Sequence, residues 1–138
     1  KLSQADCMLA MAKNNPEKLQ ASAERFGELF RKTNLPLDFR IEAGCKRATC
    51  LRKASNIPKA QAAYYEVIQF FESIDFSTQQ IGEKGRYWAS RTIFELAETL
   101  EGEGAETDRV KLLSKIHTLD LPGKALAKEN NPNESLKD

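Results

Sequence analysis

The sequence predicts an all-α fold made of about three antiparallel helix pairs. Three observations carry that expectation. Apolar residues recur at spacings of three and four in segment after segment, and no segment alternates with the period of two that a half-buried strand needs. Prolines and asparagines punctuate the helical stretches at Asn14–Pro16, Asn34–Pro36 and Asn56–Pro58. The stretch Glu42–Phe71 reads as two helices folded back on each other across a break at Ala54–Pro58, with the small residues Ala48 and Ala60 where two helix backbones could touch.

Taken in order, residues 1–13 place Leu2, Ala5, Leu9 and Ala12 on one helical face. Asn14-Asn15-Pro16-Glu17 then stops one helix and starts the next, with Asn15 as N-cap, Pro16 at the first helical position and Glu17 against the positive helix end. The second helix spans about 16–33, with Leu19, Ala23, Phe26, Leu29 and Phe30 as a stripe that needs another helix to cover it. Pro36 ends it, because proline disfavours α geometry in the residue before it. A third helix is expected over 37–54 and a fourth over 58–74, the latter with Ala60, Ala63, Tyr64, Val67, Ile68 and Phe71 inward.

Ser77-Thr78-Gln79-Gln80 has the form of a capping box, which places the start of a fifth helix there. Its firm part is Tyr87–Leu100, and Gly102 and Gly104 suit its C-terminal stop. A sixth helix is expected over 106–119, presenting Val110, Leu113, Ile116 and Leu119. The helical domain is thus read as residues 1–127, followed by a polar, disordered tail over 128–138.

Composition limits the function classes. The 138 residues allow one domain with a real core. With 41% hydrophobic and 30% charged residues the chain is not expected to be disordered. A net charge of +1 gives no global attraction to nucleic acid or anionic membrane. No apolar run approaches the roughly 20 residues of a membrane span. The three cysteines, Cys7, Cys45 and Cys50, form no CxxC pair, and Cys45 and Cys50 lie about 140° apart around a helix. They read as thiols in a reducing setting, so a soluble, cytoplasmic protein is favoured. The chain opens on Lys1, so the alternative is a periplasmic or anchored protein that has lost an N-terminal segment.

Self-similarity is the strongest signal. A small residue followed at steps of 12, 4 and 3 gives Ala48, Ala60, Tyr64, Val67 in the centre. The same steps give Ala10, Ser22, Phe26, Leu29 before it and Ala97, Arg109, Leu113, Ile116 after it. A closing turn recurs as Asn34-Leu35-Pro36 and Asp120-Leu121-Pro122. Over residues 2–122 this resembles a tetratricopeptide repeat protein. The anchors lie 38 and 49 residues apart where that family has about 34, Arg109 stands where a small residue is usual, and the middle pair lacks its closing proline.

The resemblance implies a right-handed α-solenoid in which the first helix of each pair lines a concave groove. Carried onto this chain, the groove positions are Cys7 and Met11, then Glu42, Cys45, Thr49, Arg52 and Lys53, then Arg91, Phe94, Glu98 and Glu101. The partner-binding residues expected are Cys45, Thr49, Arg52, Lys53, Arg91, Phe94 and Glu98. The family's terminal-carboxylate sites use Lys and Asn where this chain has Cys45 and Thr49, so that type of clamp is not expected.

Two clusters compete with this reading. Arg40, Lys46, Arg47, Arg52, Lys53 and Lys59 surround the third helix and could form a basic patch for an acidic peptide, phosphate or nucleic acid. They could equally face the acidic run Glu95, Glu98, Glu101, Glu103, Glu106, or water. Lys84-Gly85-Arg86-Tyr87-Trp88 with Arg91 interleaves base and aromatic, as single-strand stacking sites do, but fits packing against the previous hairpin better. His117 stands without a nucleophile–carboxylate arrangement, and no phosphate-loop, hydrolase or zinc motif occurs. The expected function is a non-catalytic scaffold for a protein or peptide, with no cofactor and no metal. A structural or self-assembling segment of a longer array is the alternative, and nucleic-acid or phosphate binding through Arg40–Lys59 a second one.

Overall fold

The computed structural model describes residues 15–129, and the expected helix over 1–13, with Cys7 and Met11, lies outside them. Among the described residues six helices pack on each other and no strand forms: α1 Pro16–Arg31, α2 Leu37–Lys53, α3 Ile57–Glu72, α4 Glu83–Glu98, α5 Ala105–Thr118 and α6 Lys124–Glu129. None is long and apolar enough to cross a membrane.

Local chemistry sets most of the boundaries. Asn15 caps α1, its side chain accepting from Glu17 N at 3.0 Å and Lys18 N at 3.2 Å. Asn56 caps α3 through Lys59 N. Beyond the end of α2 the chain turns at Ser55, whose φ of 64° lets Asn56 N reach back to Leu51 O at 3.0 Å. Asp120, at φ 52°, makes the same turn after α5, with Leu121 N bonded to Ile116 O at 2.8 Å. Asn34 does not adopt this left-handed form, so the two Leu-Pro closures that look alike in sequence differ in backbone.

The expected capping box does not start a helix. Ser77 is held by Asp75, which accepts from both its amide and its hydroxyl, and α4 begins at Glu83. Its amides are capped from another helix instead. Asp38, in the first turn of α2, accepts from Gly82 N at 3.1 Å and Gly85 N at 2.8 Å. Gly85 is required there, since a Cβ would lie 2.6 Å from Ile81 Cγ2 and 3.0 Å from the Asp38 carboxyl carbon. Replacing Asp38 by Ala is expected to cost about 1 kcal/mol, as loss of an N-cap does. Thermal unfolding and faster amide exchange at Gly82 and Gly85 would measure it.

The far end of α4 is closed by side chains from both neighbours. Gln61 of α3 donates to Thr99 O at 3.2 Å, and Arg109 of α5 to Leu100 O at 3.0 Å. Arg109 therefore replaces the expected small residue by serving carbonyls that α4 leaves without helical partners. Beyond α5, the sequence reading missed α6, which follows Gly123 (φ 95°) and buries Ala127.

Neighbouring helices run antiparallel. Gly44 of α2 lies against Phe30 of α1 and Val67 of α3, and Arg47 pairs with Glu66 at 2.7 Å. The expected pairing of Gly44–Leu51 with Pro58–Phe71 is thus present. α2 and α4 lie side by side and parallel, since Asp38, Thr49 and Arg52 meet Gly85, Glu95 and Glu98 in that order. Packed against α1, α3 and α4, α2 is enclosed along most of its length. Its small residues Ala43, Gly44, Cys45, Ala48 and Cys50 are the consequence, because bulkier ones would hold three neighbours apart. The spaced positions Phe26 and Leu29, Tyr64 and Val67, and Leu113 and Ile116 are all buried.

Candidate interaction surface

Side by side, α2 and α4 enclose two carboxylates. Glu95 is 6% exposed. Its Oε1 accepts from the hydroxyls of Thr49 and Tyr64, each at 2.7 Å, and its Oε2 accepts from Arg91 Nε at 2.6 Å. Arg52 adds a guanidinium 3.5 Å away. Burial opposes the charge on Glu95, but the Tyr64, Arg91 and Thr49 hydrogen bonds outweigh it and hold the carboxyl below its ordinary value. Burial and the bond to Glu95 push Tyr64 up, so it stays a donor. Glu42 is also 6% exposed. It binds Lys46 at 2.7 Å and forms a second ion pair with Lys84 at 3.1 Å.

Outside these acids lies a row on α4 at alternating spacings of three and four: Lys84, Tyr87, Arg91, Phe94 and Glu98. Tyr87 is 50% exposed and Phe94 half-buried. The row opens onto a cleft of about 390 Å³ between α4 and the α6 segment, walled by Tyr87, Phe94, Pro122, Gly123 and Leu126. Leu126 is 50% exposed, and Ser90 closes the cleft's base by donating to Pro122 O at 2.7 Å. A second cleft, of about 540 Å³, opens between α1 and α3 over Ala23 and Ala63, with Glu24, Glu28, Arg47 and Lys59 around it.

The seven expected groove residues are not equally placed. Arg91, Phe94 and Glu98 line the α4–α6 cleft, and Arg52 joins them through Glu98 at 3.5 Å. Lys53 is exposed at the end of α2. Cys45 is fully buried, because α4 lies alongside α2 and covers it, so it has no surface to give a partner. Burial first, then the charge of Glu95, push its thiol up to about 12. Thr49 is buried too, and its hydroxyl is spent on Glu95.

The basic residues around α2 are dispersed. Arg40 donates to Phe30 O at 2.9 Å and lies 4.5 Å over the Phe70 ring, while Arg47 binds Glu66 across the α2–α3 seam. Lys46 and Arg52 face the opposite way, toward α4. Trp88 packs half-buried between Lys46 and Arg91, 5.2 and 5.0 Å from its ring, with Tyr87 edge-on. Among the described residues no group of acidic, His and Cys side chains could hold a metal ion.

Sequence reasoning overlooked Asp38, Glu95 as a buried acceptor, and Leu126. The one signal for Glu95 was its spacing of four from Arg91, which is common on exposed helix faces and so did not indicate burial. The chain matches no protein-family model, no curated protein and no solved structure.

Proposed function

We propose that this chain is a non-catalytic protein-interaction scaffold of the tetratricopeptide-repeat kind, receiving a peptide along α4 and in the α4–α6 cleft. The repeat reading is supported by antiparallel neighbours with α2 and α4 parallel, the order that stacked helix pairs produce. The observation that carries the functional reading is the exposed row Tyr87, Arg91, Phe94, Glu98 opening onto a preformed cleft with apolar walls. A partner gains by burying apolar side chains against Phe94 and Leu126 without reordering the scaffold, and the charged rims select its register.

Selection of peptides from a randomised display library tests this. Wild-type protein is expected to retain peptides that a folded Arg52→Ala/Phe94→Ala variant binds at least about tenfold more weakly, the loss typical of removing a central contact. Equal retention by the variant rejects these positions. A library that yields no binder rejects the scaffold.

A further inference from the structure

We infer that the α2/α4 face takes an acidic segment that continues into apolar side chains, its acidic part over Lys84 and Arg91 and its apolar part in the α4–α6 cleft. This rests on the scaffold reading and names the partner's chemistry. The observation behind it is a layering of charge. Glu42 and Glu95 lie beneath the surface, and the cations that neutralise them lie above: Lys84 and Lys46 over Glu42, Arg91 and Arg52 over Glu95. Lys84 and Arg91 are each about half exposed at the side chain, whereas both carboxylates are sequestered. Asp38, the remaining acid at this end of α2, is turned into the α4 N-terminus. Arg52 is shared with Glu98, at 3.5 Å, so the cations this strip turns outward are Lys84 and Arg91, each standing over a buried acid.

Position along the row gives the segment a direction. Lys84 and Arg91 are seven residues apart on α4, two turns or about 10.5 Å. Carboxylates three residues apart in a polyproline II chain lie on one side and are separated by about 9 Å, which matches that distance. Past Arg91 the surface becomes apolar at Phe94 and Leu126, and beyond them Glu98 repels further acid. The acidic end therefore lies at Lys84 and the apolar end at Phe94. Single-stranded nucleic acid, the other anionic candidate, needs open aromatic faces on which to stack. Trp88 is flanked by Lys46, Arg91 and Tyr87, which leaves Tyr87 as the one exposed ring of the row, too few for successive bases.

The probe is a fluorescein-labelled peptide with two glutamates three residues apart followed by two leucines, read by anisotropy and by the fluorescence of the single tryptophan, Trp88. Its comparisons are the same peptide with lysine for glutamate, and oligothymidylate. Wild-type protein is expected to bind the acidic peptide, more weakly as salt rises from about 0.05 to 0.5 M. Lys84→Gln is expected to weaken binding about fivefold and Leu126→Asp about tenfold, each measured well below the variant's own unfolding temperature because Lys84→Gln also removes a counter-ion of the buried Glu42. Equal binding of the acidic and basic peptides, an unaffected Lys84→Gln variant, or preference for oligothymidylate overturns the inference. If the library yields binders that depend on Phe94 but the acidic probe does not bind, only the partner chemistry falls. If it yields none, the scaffold reading falls as well.

Discussion

Glu95→Ala is expected to be among the most destabilising single substitutions in this protein, at about 3 kcal/mol. The carboxylate joins three helices at once, accepting from Thr49 on α2, Tyr64 on α3 and Arg91 on its own helix α4. Truncation leaves the buried Tyr64 hydroxyl and the Arg91 guanidinium without this acceptor, while Thr49 keeps Cys45 O at 3.0 Å, so the cost includes a desolvated donor as well as the lost bonds. Glu95→Gln is expected to cost less, since an amide oxygen still accepts from the two hydroxyls. Urea denaturation of the two variants measures the difference.

The same site sets a pH dependence. Because the folded-state value of Glu95 lies below 4.5, its contribution is fully present above the unfolded carboxylate value, about 4.3. It is lost as pH falls through the folded value, when the unfolded chain binds the proton first. Wild-type stability is expected to decline below about pH 4.5, and Glu95→Gln to show a shallower decline. Parallel acid limbs for the two proteins would show that other carboxylates dominate there.

Gly44→Val is the second large effect. Gly44 lies in the middle of α2, where glycine costs a helix about 1 kcal/mol relative to alanine, so in isolation a side chain would help. The packing reverses that sign. An added Cβ would stand 2.6 Å from Val67 Cγ2 and 2.8 Å from Phe30 Cδ1, with α1 on one side and α3 on the other. Neither side chain can yield, because Val67 is fully buried and Phe30 is packed against Phe70. Overpacking of this kind costs about 1–3 kcal/mol, and valine's branched Cβ places it at the upper end. A Gly44→Ala variant as stable as wild type would mean the helices can separate at little cost.

How much was legible follows from how far each interaction reaches along the chain. Asn15, Pro16, Pro36 and Asn56 act within one turn, so the boundaries near them came out within about two residues. The apolar stripes of α1 and α3 were equally clear, because each helix is buried on one side only. α2 was harder to read, since a helix covered on three sides loses its polar face and its positions all resemble each other. Groove residues projected onto it were therefore partly misplaced. Cys45 and Thr49 are inside, while Arg91, Phe94 and Glu98, on a helix with one open face, line the cleft. The start of α4 failed for a related reason. Ser77 and Gln80 match a local pattern, but the acceptor that fixes this end is Asp38, 44 residues before Gly82.

By itself, then, the sequence determined the all-α class, the approximate positions of five of the six helices among the described residues and the pairing of α2 with α3, all of which depend on neighbours within one or two turns or across one short loop. Only the tertiary structure decided that Asp38 caps α4, that Glu42 and Glu95 lie beneath their cations, and that Leu126 faces Phe94 across a cleft. Those contacts join residues tens of positions apart, and their energies exist only once parallel α2 and α4 exclude water from between them.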